Sequence, residues 1–599
     1  MNDQAAEYLR RLVQEQPELA RRSFYRRSEV HASAEWHRIV SLPRRQLDLD
    51  SVPDLTALWA LPEGTMRLWP VQSAALLEAE RCNGLFAALP VGGGKTLLAT
   101  LLPDAMKSQR AVILVPAQSK KKKARDAWPA LQKHWRLPLD RITLVSYTQL
   151  ERAVRGVGVL PKQWKWLAYL TAALEPSVLE QLQPDLVIVD EAHYLKNKEA
   201  ARTVRFLRYF KEHPEARLVA MSGTFTDQSL HDYAHLLRLC LRDRSPLPRD
   251  FMTLDEWSEA LDVNVEDPRP AGALDRLCVS EDHVHSTTRD RFRCRLRTCP
   301  GVVALEAGFS DVPLTIRRRE VSLPPRIAAA IDRLRKSWVI GNPDVPEDSA
   351  EEITDDLTFA RLLRQLACGF YLRWDWPNGV RDQEWQGARS RWHSVVRHIL
   401  RYSRRPGLDS PMLVAGAASR GDLSREHQAV WEQWAAVKDR RQPPTVAVWI
   451  DDYLVRDAAQ WARSDGPTSP GGIVWYESPT LGQAIAKALG ERLPLEATDV
   501  VMDGRPLVLS IRKFNEDFDG LQYVYDRCLY TTVPNAKQIE QSLGRLHREG
   551  QTRTVTADML LPIPECFDAL ENTRKKAEYA EQTGFGEQKL LHATLEGFE

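Results

Sequence analysis

LPVGGGKTLLA, residues 89–99, sets three consecutive glycines, a lysine and a threonine between an apolar run and a helical pattern. Upstream, residues 85–89 (LFAAL) form a short buried-strand run, and from Leu97 onward apolar residues recur at helical spacing. Between the two the chain must turn sharply. Gly92, Gly93 and Gly94 permit backbone angles that side chains forbid, and they let several amide N–H groups converge on one anion at a helix N-terminus. This is the composition of a phosphate cradle. In such a cradle Lys95 reaches the β- and γ-phosphates of ATP as a point charge, and the Thr96 hydroxyl ligates Mg2+. The strict pattern G-x-x-x-x-G-K-[ST] has glycine at its first position, where this chain has Leu89; the tail G-x-G-K-T is intact.

A second stretch, PDLVIVDEAHYLKN (residues 184–197), delivers Asp190 and Glu191 to the end of an apolar strand, the edge where α/β sheets place their ligands. Asp190 there holds magnesium, and Glu191 positions and polarises the attacking water. An acidic pair opening a loop is common on its own. It gains meaning from the cradle upstream, because parallel strands end at one edge.

Taken together, PVGGGKT and VIVDEAHYLKN resemble the ATPase core of superfamily two helicases, and the DEAH-x-LKN form resembles its Swi/Snf-like branch. Further pieces follow in the family's order. LWPVQSAAL resembles the segment whose glutamine, here Gln72, reads the adenine edge; VILVPAQSKKKKARDAW resembles motif Ia along the nucleic-acid backbone; and ITLVSYTQL resembles the next strand and loop of that groove. MSGTFTDQSLHDYAHLL resembles the motif coupling ATP state to the nucleic-acid site, which implies that role for Ser222, Gly223 and Thr224, with His193 beside them. IEQSLGRLHREGQ resembles motif VI, with Gln541 toward the nucleotide and Arg545 and Arg548 as arginine fingers, about a helical turn apart and pointing to one side. The resemblance covers roughly residues 66–245 and 440–562. It departs at Phe225, which replaces a proline, and in SIRKFNEDFDGLQ, where a usually glycine-rich motif keeps Gly520 and carries Glu516, Asp517 and Asp519.

The implied fold is α/β: two RecA-like parallel-sheet domains with ATP in the cleft between them, plus a helical insertion and an N-terminal helical segment. Changes of composition set the boundaries. Residues 1–62 are an arginine-rich helical accessory segment, 63–245 the first domain, 246–440 a helical insertion or linker, 441–565 the second domain and 566–599 a C-terminal helix. No fixed-period repeat or low-complexity tract interrupts them.

Formal net charge is +1, so no global field advertises a polyanion partner and any nucleic-acid surface is local. The lysine run that follows the motif Ia strand, Lys120, Lys121, Lys122 and Lys123 with Arg125, is the first candidate; residues 289–297 and 317–319, both arginine-rich, are others. Trp374 and Trp376 could stack on bases, but core packing is the expectation. The apolar runs are too short for a membrane span, and the first residues lack a signal-peptide core, which points to a soluble protein of the cytoplasm or nucleoid. The eight scattered cysteines are expected reduced. His283, His285, Cys294 and Cys299 could together ligate zinc, though H-x-H-x8-C-x4-C matches no standard finger.

The reading that follows is a nucleic-acid-stimulated ATPase, a motor that translocates on double-stranded DNA, with protein partners reached through residues 1–62 or 246–440. Within the class the alternative is a strand-separating DNA or RNA helicase of phage or mobile-element type. From another class it is a recognition or scaffold module with an ATP-driven switch.

Overall fold

The computed structural model describes residues 33–598 except 91, 152–176, 199, 227, 264–273, 275–276, 279–286, 306–309, 311, 341–350, 354–355, 377–379, 381, 403–410, 441–442, 464–469, 495–498, 515–518 and 585. Two six-stranded parallel sheets organise it. The first contains β1 (Leu85–Ala88), β2 (Ala111–Val115), β3 (Ile142–Ser146), β4 (Leu186–Asp190), β5 (Arg217–Ser222) and β6 (Val302–Ala304), in the order β3-β2-β4-β5-β1-β6. β1, β2 and β4 are buried from end to end, as a sheet covered on both faces requires. Ala88 pairs with Ser222 and Asp190 with Met221, so the loops after β1, β4 and β5 leave one carboxyl edge together.

The second sheet contains β7 (Leu314–Arg319), β8 (Ile473–Tyr476), β9 (Leu507–Ser510), β10 (Arg527–Tyr530), β11 (Val555–Leu560) and β12 (Thr594–Glu596), in the order β9-β8-β10-β11-β7-β12. With their flanking helices the sheets form two RecA-like α/β domains. The helices that matter for the cleft are α1 (Pro70–Cys82), α2 (Lys95–Ala105), α3 (Ala536–Leu543) and α4 (Pro564–Thr583).

The segment expected as a helical insertion, 246–440, supplies a strand to each sheet. β6 is three residues long, too short to signal itself, and β7 reads LTIRRR, which composition alone takes for a basic patch. Its charges are paired: Arg317 Nε lies 2.7 Å from Asp558 Oδ1, and Arg319 Nη2 lies 2.6 Å from Asp457 Oδ1. True insertion helices follow, among them Gln383–Tyr402, Pro411–Arg420 and Arg425–Val437, which pack on one another. Trp374 and Trp376 sit beside Trp385 at 5.8 and 6.0 Å between ring centroids, in an aromatic cluster as expected.

The two ends of the chain also join the domains. Residues 1–32 lie outside the described residues, but the helix Ala34–Ser41 buries Trp36 and Ile39 in the first domain's core, and Arg38 donates to the carbonyls of Ser245 and Leu247. Beyond residue 565 the structure is more than a helix. After α4 the chain forms the short helix Lys589–His592 and then β12, which adds an edge to the second sheet through β7.

The expectation of eight reduced thiols fails at one pair, Cys278 and Cys294, which form a disulfide; the other six are free. That pairing consumes one candidate zinc ligand. Cys299 Sγ donates to the Arg244 carbonyl at 3.3 Å, and His283 and His285 lie outside the described residues. Among the described residues no helix is long and apolar enough to cross a membrane.

Candidate active site between the two domains

The cradle is built from backbone geometry. Gly92 and Gly94 adopt φ of +89° and +67°, and Gly94 caps α2, so that Lys95 is the helix's first residue. A Cβ on Gly94 would meet Gln72 Nε2 at 2.1 Å. Gln72 is engaged at both ends: Oε1 accepts from the Trp69 amide at 2.8 Å, and Nε2 donates to the Gly94 carbonyl at 3.2 Å. In this geometry it caps α1 and braces the glycine loop. Leu89, in the place of the pattern's first glycine, offers its carbonyl to Lys95 Nζ at 3.2 Å. That contact needs only backbone, which is why a leucine is tolerated there.

Asp190 ends β4, and Glu191 turns away with φ +57°, a left-handed conformation uncommon for a residue with a side chain and typical of backbone held under strain at a working site. Glu191 Oε1 lies 3.0 Å from Lys95 Nζ, and Oε2 lies 3.3 Å from His193 Nδ1. Burial alone would raise the Glu191 pKa; Lys95, His193 and Lys537 outweigh it and hold the carboxyl well below its usual range. It is therefore an anion at neutral pH.

Asp190 faces a different cation. Lys123 Nζ donates to Asp190 Oδ2 at 2.7 Å and to Thr96 Oγ1 at 3.0 Å, while Asp190 Oδ1 is buried with no hydrogen-bond partner among the described residues. Thr96 and Asp190 thus converge on one cation position. A hydroxyl and a carboxylate with one oxygen still unpaired suit Mg2+, which takes oxygen ligands.

This placement corrects the reading of the lysine run as one nucleic-acid contact. Lys123 is buried. Four consecutive residues span more than one 3.6-residue turn, so they cannot share a face. Here the helix Ala117–Lys122 also passes into a π-helical turn, Lys123–Ala127. Lys120 Nζ donates to Gln149 Oε1 at 2.7 Å, Lys122 Nζ lies 3.7 Å from Asp519 Oδ2, and the exposed Arg125 pairs with Asp126; the Lys121 side chain lies outside those described. In the arginine-rich stretch 289–297, Arg289 donates to the Leu261 carbonyl, and buried Arg295 donates to that of Ile39.

The second domain contributes α3, begun by an Asn535–Gln538 capping box. Arg545 and Arg548 follow the end of α3 at Gly544 and lie in a turn, not one turn apart on a helix. They still point one way. Their Nη1 atoms lie 3.2 and 2.6 Å from a single oxygen, Asp519 Oδ1, and a Cβ on Gly92 would meet Arg548 Nη2 at 3.2 Å. Asp519 was visible in the sequence only as a departure from a glycine-rich motif; Glu516 and Asp517 lie outside the described residues. Its carboxyl, exposed at the surface but crowded by protein on its cleft side, is held below the usual range because Arg545, Arg548 and Lys122 outweigh the partial loss of water around it. Cradle, acidic pair, Lys123, Asp519, Gln541 and both arginines line one cavity of about 220 Å³.

The residues expected to couple ATP state to nucleic acid lie beside this cavity and contact Glu191. Ser222 Oγ lies 3.4 Å from Glu191 Oε2 and 3.3 Å from His193 Nδ1, accepts from the Thr224 amide at 3.2 Å and donates to the Thr224 carbonyl. Gly223 passes so close to Leu89 that a Cβ would lie 3.3 Å from its carbonyl oxygen. Lys537, on α3, donates to His193 Nε2 and so leaves Nδ1 as the ring's donor toward Glu191. Sequence reasoning missed Lys537, a lone lysine on an amphipathic helix. Phe225 stacks on Phe86 with ring centroids 3.9 Å apart, which explains an aromatic in a proline's place.

Residues 69–233 match the family model of the DEAD/DEAH box helicases. No curated protein matches the chain. The match spans the cradle, the acidic pair and Ser222–Thr224, and stops short of the second domain's arginines. Residues 69–233 form a helicase-type, ATP-dependent nucleic-acid motor domain, and domains of this type bind ATP with Mg2+.

Proposed function

We propose that the chain is a DNA-stimulated ATPase that translocates on double-stranded DNA in the Swi/Snf-like manner, hydrolysing ATP to ADP and phosphate in the interdomain cleft. The observation that carries this reading is the approach of Arg548, from the second domain, to Gly92 of the cradle: the site is complete only when both domains form it. Lys95 binds the β- and γ-phosphates, and Glu191 orients the attacking water. Thr96 and Asp190 hold Mg2+, which when bound neutralises phosphate charge. Arg545 and Arg548 stabilise charge that develops on the transferred phosphoryl group. His193, Ser222, Gly223 and Thr224 carry the state of the Glu191 end of the cleft to Lys537 on α3. Gln72 and Gln541 shape the nucleotide side of the cleft, Gln72 through the glycine loop.

Lys120 and Arg125 contact the nucleic-acid backbone in this reading, since they follow β2 on the edge where the groove runs, while Lys122 faces the cleft. The ordered motifs resembling Swi/Snf-like motors, and a helical insertion between β7 and β8, support duplex translocation over strand separation. The test is ATP turnover without nucleic acid and with duplex DNA, single-stranded DNA or RNA, alongside triplex-displacement and strand-separation assays. Stimulation by duplex DNA with triplex displacement supports the proposal; strand separation, or stimulation by RNA alone, overturns the translocase.

A further inference from the structure

We propose that Lys123 and Asp519 are internal competitors for the partners of MgATP, Lys123 claiming the magnesium ligands Thr96 and Asp190 and Asp519 claiming the phosphate-binding Arg545 and Arg548. The proposal rests on reading the cleft as an ATPase site.

Lys123 comes from the turn after β2, outside the cradle, yet its ammonium sits between Thr96 Oγ1 at 3.0 Å and Asp190 Oδ2 at 2.7 Å. A monovalent cation with three donors meets part of what that donor set offers, and Asp190 Oδ1 stays buried without a hydrogen-bond partner among the described residues. Asp519 mirrors it with opposite sign. One of its oxygens meets both arginines and the other faces Lys122 at 3.7 Å, so three cations from two domains surround one carboxylate as they would a terminal phosphate. Its side chain is 60% exposed, so it can swing clear without disturbing a core.

The two competitors are linked through one turn of helix. Lys122 and Lys123 are neighbours, one reaching across the cleft to Asp519 and the other inward to Asp190. A magnesium ion at Thr96 and Asp190 repels the Lys123 ammonium, and a terminal phosphate at the arginines repels Asp519 and attracts Lys122. Displacing Lys123 turns the segment Ala117–Ala127, which also carries Lys120 and Arg125. Nucleotide occupancy is thereby read out on the face assigned to nucleic acid, as a differential contact between two arrangements.

The test uses the full chain and a slowly hydrolysed ATP analogue, with affinity measured calorimetrically with Mg2+ and with chelator. Asp519→Asn binds the analogue about five- to tenfold more tightly in both conditions, the size of one or two lost ion pairs. Lys123→Met tightens binding only with Mg2+. Both variants melt at lower temperature than wild type without nucleotide, and the gap narrows at saturating Mg2+ and analogue. Hydrogen exchange across residues 117–127 rises on nucleotide binding in wild type and is already raised in Lys123→Met. Unchanged or weaker affinity with Mg2+ in either folded variant overturns the competition. A wild type that binds no nucleotide overturns the ATPase reading itself.

Discussion

Lys95 has two partners, the Leu89 carbonyl and the Glu191 carboxylate, and both are groups that a phosphate can replace. Lys95→Ala therefore removes the cradle's mobile positive charge: hydrolysis is abolished and nucleotide affinity falls, as measured by steady-state turnover and calorimetry. Equal turnover in wild type and variant would remove the motor assignment. Arg548 acts on a different quantity. In the proposed site its guanidinium exchanges Asp519 for phosphate when nucleotide binds and then meets charge that grows in the transition state, so Arg548→Ala lowers kcat by about 10³–10⁵ while ATP affinity changes little, because the Asp519 pair is given up in the same exchange. A loss confined to affinity would show that Arg548 binds the ground state instead.

Among elements, the loop after β4 and the helix Ala234–Leu241 that follows Ser222–Thr224 are tied by His235, whose Nε2 donates to the Leu195 carbonyl at 2.9 Å. Its Nδ1 is buried with no hydrogen-bond partner among the described residues. Burial pushes the imidazole down from 6.5 to about 4. The unfolded chain protonates first as pH falls, so the stability carried by neutral His235 is complete above pH 6.5 and is lost progressively between 6.5 and about 4. The full loss is about 3 kcal/mol. Urea unfolding at several pH values should show it, and His235→Gln, which keeps a donor for Leu195, should flatten that part of the slope. An unaltered slope would assign the acid sensitivity to other groups.

On the scale of the whole molecule, the proposed function requires both sheets for catalysis and a track for movement. A fragment of residues 33–305 keeps the first sheet through β6; once cooperative melting shows that it folds, it should bind nucleotide weakly and hydrolyse none, because Arg545 and Arg548 are gone. Robust ATPase from it would show that the second domain is dispensable for chemistry. The track is tested by salt. If Lys120 and Arg125 each neutralise a phosphate of duplex DNA, replacing both with Ala flattens the log-log salt slope by up to about 1.8, equally for all sequences. Affinities at three or more salt concentrations decide it, and an unchanged slope would move the DNA path away from this face.

Much of this was legible in residues alone. The cradle, the acidic pair and the parallel sheet around them are local patterns: glycines for a turn, unbroken apolar runs for buried strands, charges at strand ends. Such patterns depend on near neighbours in the chain, and the amino-acid sequence by itself determined them, along with the expectation of arginines delivered from a second domain. What only the tertiary structure decided is which distant charges meet. Lys123 reads as one of four lysines until the turn after β2 buries it against Asp190. Asp519 reads as an interruption until Arg545 and Arg548 close on it, and LTIRRR reads as a basic patch until Asp558 and Asp457 neutralise it as a strand. Ion pairs are made across space between side chains that carry no signal of their partners, whereas a strand or a glycine turn carries its own reason in its residues.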